Sequence, residues 1–68
     1  MNSPEAKKKL GEKLKNARIK AKLTQMQVAE KAGLNANYYA TVERGEENIS
    51  SENIMKLEEV LSVKILNI

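Results

Sequence analysis

The chain has no cysteine, histidine, tryptophan or phenylalanine, and its two tyrosines stand side by side at Tyr38 and Tyr39. Without cysteine, disulfides and thiolate metal sites are excluded. Without histidine, the commonest general base and the commonest zinc ligand are gone. Catalysis would fall to Glu, Lys, Ser or Tyr, and the carboxylates suggest no nucleophile–base–orienter set. The chain is therefore read as a non-enzyme with no cofactor, no metal and no small-molecule substrate. No apolar run approaches the roughly 18 residues of a membrane span. The lysine-rich N-terminus lacks the apolar segment of a signal peptide. The expectation is a soluble cytoplasmic protein, nucleoid-associated if its partner is DNA.

A chain of 68 residues makes one small domain, near the lower limit of what one apolar core supports. Residues 1–68 are read as that domain, complete or the N-terminal part of a longer protein. The core must be aliphatic. The net charge of +3 hides an asymmetry. Residues 1–23 carry eight basic side chains against Glu5 and Glu12, a local +6, whereas the rest carries four bases and seven acids, a local −3. A basic face attracts polyanions, although a plain solvated lysine helix accounts for the same charge.

The single proline, Pro4, follows Ser3, a capping residue, and so starts a helix. Leu10, Leu14, Ala17 and Ala21 recur at helical spacing and carry that helix to about residue 21. Gly11 lies inside it, at a cost of up to about 1 kcal/mol relative to Ala. Thr24-Gln25-Met26-Gln27 fits a capping box for a second helix, about 24–32, with Val28, Ala29 and Ala32 inward. Gly33 follows and can close that helix in the left-handed conformation. Asn35 caps a third helix, about 36–44, ending at Gly45. Ser50 or Ser51 caps a fourth, with Ile54, Leu57, Val60 and Leu61 as its apolar stripe. The tail "SVKILNI" matches neither helical nor strand period.

The fold class is thus all-α, a compact bundle of four to five short helices. Two short helices joined by a three-residue turn containing Gly form a helix-turn-helix, whose second helix can enter a DNA major groove. Ala29 is small where the two helices cross, and Leu34 can plug the gap under the turn. On the third helix, Tyr39 and Val42 point inward with Leu34. Ala36, Asn37, Ala40, Thr41 and Arg44 form one stripe on the other side. It is polar or small throughout, which suits close approach to a groove. An ordinary αα-hairpin within a four-helix bundle fits the spacing equally well.

The string "LTQMQVAEKAGLNANYYATVERGEENIS" resembles the phage-repressor-type, lambda-repressor-like (Xre) helix-turn-helix family. Arg18 ahead of Leu23-Thr24-Gln25, the Ala-Glu-Lys-Ala-Gly run and Val-Glu-Arg-Gly carry the match, which spans about residues 10–63. The resemblance implies duplex DNA as partner, a dimeric transcriptional regulator and usually five helices. It places Ala36, Asn37, Ala40 and Thr41 at base-reading positions, where Asn can pair with adenine and the methyl groups can meet thymine. A site leaning towards A·T follows. Phosphate contacts are expected from Gln25, Asn35 and Tyr38, from Arg44 on the stripe, and from Asn48 in the following loop. Arg18 and Glu43 match the family's structural ion pair.

Four positions depart from the family pattern. Tyr39 stands where Ile or Leu is usual and is read as core with its hydroxyl at the rim. Lys22 stands where many relatives have Gly, so either a left-handed turn there costs something or the turn differs. Glu46 and Glu47 load acids into a loop that commonly meets phosphate. Two other functions compete: a protein-binding adaptor or antitoxin on the same scaffold, and membrane-surface binding by the first helix. The latter lacks the Trp, Phe and broad Leu face it needs. Val63 to Ile68 is the expected place for homodimerisation, or else a packed end of the domain.

Overall fold

The computed structural model describes residues 3–65, which form four helices: α1 (Pro4–Lys20), α2 (Gln25–Ala32), α3 (Ala36–Glu43) and α4 (Ser51–Leu61). Each begins at a side-chain cap. Ser3 Oγ accepts from the Ala6 amide at 3.0 Å, Asn35 Oδ1 from Tyr38 at 3.0 Å, and Ser50 Oγ from Asn53 at 3.1 Å. Thr24 forms the full capping box: its hydroxyl accepts from the Gln27 amide at 3.1 Å while Gln27 Oε1 accepts from the Thr24 amide at 2.8 Å. Four groups of otherwise unpaired amides are served in this way.

All four helices also end alike. Lys22, Gly33, Gly45 and Ser62 take φ of 60°, 70°, 77° and 54°. The next amide in each case reaches back across the last turn: Leu23 to Arg18, Leu34 to Ala29, Glu46 to Thr41 and Val63 to Glu58, at 2.8–3.2 Å. This is the Schellman closure, which favours glycine at the left-handed position. Glycine fills two of the four. The expected cost at Lys22 is therefore real, and Ser62 carries a second one that no sequence signal marks.

The core joins Leu14, Val28, Ala29, Tyr39, Val42, Ile54 and Leu57, all nearly or fully buried, with Ala17, Ala32, Leu61 and Ile65 at its edge. α1 packs on α3, and α2 packs on both α3 and α4. Gly11 explains how closely α1 can approach. A Cβ built there would overlap the Glu43 carbonyl oxygen and come within 2.8 Å of Val42 O. A Cβ at Gly45 would likewise meet the Lys8 backbone at 2.9 Å. Gly11 is thus a contact point between helices, where local propensity alone makes it a defect.

Three expectations need correction. α1 ends at Lys20, and Ala21 is an exposed cap because the chain turns there. Ala36 is half-buried against the core, so the outward stripe of α3 is narrower than helical spacing implies. Tyr39 is fully buried, hydroxyl included, because α3 is pressed between α1 and α2. The four helices of the described residues agree with the expected bundle of four to five. Of the tail proposed for self-association, Ile65 is buried in its own domain with its amide donating to Glu58 Oε2 at 2.6 Å, and Val63 is half-buried. Residues 66–68 lie outside the described residues.

Candidate nucleic-acid interface

Three residues, Gly33 to Asn35, separate α2 from α3. The left-handed Gly33 reverses the chain, half-buried Leu34 fills the space below, and Asn35 restarts the helix. Ala29, 1% exposed, leaves room for the two helices to cross. The turn fixes an angle between two rods, which is what a groove-reading helix requires.

On α3, Asn37 and Arg44 are exposed, and Ala40 and Thr41 are half-buried beside them. No side chain on this strip is both large and apolar. The Thr41 hydroxyl donates to Tyr38 O at 2.7 Å. Its donor is therefore used within the helix, leaving oxygen lone pairs and the methyl group outward. The Asn37 side chain has no hydrogen bond among the described residues, so its amide has both donor and acceptor available.

The expected phosphate contacts are arranged less simply. Asn35 is engaged as the α3 cap through its side-chain oxygen. The Tyr38 hydroxyl donates to Asn48 O at 3.4 Å, so α3 is tied through Tyr38 to exposed Asn48 in the second half of the α3–α4 loop. Arg44, about half exposed, pairs with Glu46 at 3.2 Å. A phosphate would have to displace that carboxylate, as the acids of the loop lead one to expect. Gln25 lies half-buried at the first position of α2, and its Nε2 donates to Glu43 Oε1 at 3.0 Å. That bond was not legible in the sequence.

Glu43 gathers the site together. Arg18 Nε donates to Glu43 Oε2 at 2.7 Å and Nη2 to Oε1 at 3.2 Å, a bidentate pair, while Nη1 donates to Leu23 O at 3.0 Å. Their side chains are 15% and 3% exposed. The Arg18–Glu43 pair thus ties the end of α3 to α1, to the α1–α2 turn through Arg18, and to the first residue of α2 through Glu43. Burial pushes the Glu43 carboxyl up, but hydrogen bonds from Arg18 and Gln25 outweigh it and hold it below the ordinary range. Its hydrogen bond to Arg18 pushes the guanidinium up against a smaller opposing effect of burial. Tyr39, one helical turn before Glu43, has a buried hydroxyl with no partner at hydrogen-bonding geometry. Burial, then the neighbouring Glu43 carboxylate, pushes its phenol far up.

A capped helix-turn-helix presenting a thin polar strip defines a sequence-specific DNA-binding regulator of transcription. The chain belongs to the helix-turn-helix family, whose model matches residues 14–67. Its structure is similar to the crystal structure of the restriction-modification controller protein C.AhdI from Aeromonas hydrophila. The two are 34% identical with a TM-score of 0.86, covering 90% of this chain and 92% of the other. No curated protein sequence matches it. None of the described helices is long and apolar enough to cross a membrane.

Proposed function

We propose that the chain binds a near-palindromic operator as a homodimer, each copy laying α3 in the major groove. Asn37, Thr41, Ala40 and the outer edge of Ala36 read bases. Gln25, Asn35, Tyr38, Arg44 and Asn48 fix the phosphates. The exposed, unpaired amide of Asn37 carries this reading: it stands on the strip where nothing bulky prevents close approach. Likeness to a restriction-modification controller supports control of the genes of such a system as the biological setting.

Selection from random duplex DNA at two salt concentrations tests the proposal. The expected result is two half-sites about 34 Å apart, rich in A·T at the read positions, with affinity falling steeply as salt rises. Asn37→Ala should cost about 1–3 kcal/mol on the selected site and relax one base position. Equal affinity for every duplex, or half-sites that are G·C throughout, would rule the reading out.

A further inference from the structure

The lysines of α1 divide by direction. Gly11, Arg18 and Lys8 turn towards α3 and its end. Lys13 and Lys20 each follow one of these contact residues by two positions, about 200° around the helix. They therefore point away from α3, with α1 standing between them and the base-reading strip. Both line a shallow groove with Asn16 and Ala17, closed on its other side by Val63, Lys64 and Ile65. Lys13, Lys20 and Lys64 are exposed and form no ion pair among the described residues. The floor is apolar, made by Ala17, Ile65 and half-buried Val63.

We infer that this groove is a second binding surface, for an acidic amphipathic peptide segment of a partner protein. Three unneutralised ammonium groups around an apolar floor call for carboxylates flanking an aliphatic side chain. A phosphate backbone satisfies the charge but leaves the floor uncovered. A second copy docked two-fold on the same groove would face lysine with lysine, since such contacts are self-complementary. Lys13 and Lys20 are seven residues apart, about 10 Å along the axis at 1.5 Å per residue. Carboxylates three residues apart in a polyproline II segment, which has three residues per turn and a rise of about 3.1 Å, lie on one face and span about the same distance. The surface would let the protein hold a partner while α3 is occupied by DNA.

The test uses the full chain and a fluorescent, end-blocked peptide in which Glu at every third position alternates with Leu and Ser. A control peptide has Gln in place of Glu. Anisotropy should show binding of the acidic peptide, weakened about tenfold by Lys13→Glu combined with Lys20→Glu, at roughly half a decade per exposed charge contact. The same variant should melt like the parent and keep the base preferences of the selected duplex. Equal binding of the Gln peptide, or indifference to the charge reversals, overturns the inference. Loss of base preference in the variant would place the groove on the DNA surface and also overturn it. So would sedimentation showing that the reversals dissociate a dimer, since the occupant would then be a second copy. Failure of α3 to read bases leaves peptide binding untouched, so the two proposals fail separately.

Discussion

Tyr39 and Gly11 show how single residues are set by what touches them. The Tyr39 hydroxyl is buried without a hydrogen-bond partner, and such a group costs about 1–3 kcal/mol. Tyr39→Phe should therefore stabilise the protein by about 1 kcal/mol, raising the melting temperature by roughly 4–8 °C for a domain of this size. A lower melting temperature would mean that the hydroxyl is bonded to Glu43 after all. Tyr39→Ala removes the whole ring and should cost about 3 kcal/mol or more. At Gly11 the propensity argument and the packing argument have opposite signs. Ala is worth up to about 1 kcal/mol in an isolated helix, but its methyl group would collide with the α3 backbone. Gly11→Ala should cost at least about 2 kcal/mol in chemical denaturation, by the overpacking rule. A stabilised variant would show that α1 can shift outward freely.

Helix ends are where elements were easiest to read. Ser3, Thr24, Asn35 and Ser50 act as caps because an oxygen on a short side chain reaches an amide three residues on. That geometry is local, so the sequence reveals it to within a residue. Gly33 and Gly45 were legible for the same reason. Lys22 was legible through the family pattern alone, and Ser62 not at all, because a left-handed lysine or serine is imposed by the closure around it. Lys22→Gly should gain about 0.5–1 kcal/mol. Relief of the left-handed cost, about 1–2 kcal/mol, exceeds the entropy glycine adds to the unfolded chain. Thermal melting of the single variant measures it, and a decrease would indicate that the lysine side chain has a compensating contact.

For the molecule as a whole, the Arg18–Glu43 pair couples stability to pH. Glu43 has a lowered pKa in the folded state. Its contribution is present above the ordinary carboxylate value, about 4.3, and is lost as pH falls through the lowered folded value. Tyr39 works at the other limit. Its raised pKa keeps its contribution intact below about 10 and loses it as pH climbs beyond. Arg18→Met should cost roughly 3–5 kcal/mol at neutral pH by leaving a buried carboxylate unpaired. It should also shrink the acid-side loss, because Glu43 would no longer be held ionised. Denaturation midpoints from pH 3 to 8 for parent and variant would show this; parallel curves would mean that the pair contributes nothing specific.

What the sequence by itself determined was everything carried by short-range chemistry: four capped helices, the turn at Gly33, and an α3 with one apolar and one polar face. The Arg18–Glu43 pair was accessible only through resemblance, since 25 residues separate the partners. Tertiary structure decided the rest. It turned Gly11 from a weak point into a contact, drew Gln25 onto Glu43, buried the whole of Tyr39, narrowed the strip at Ala36 and sent Lys13 and Lys20 away from α3. Each of these depends on the angle and distance between helices. Helical spacing says which residues share a face, and only packing says what that face meets.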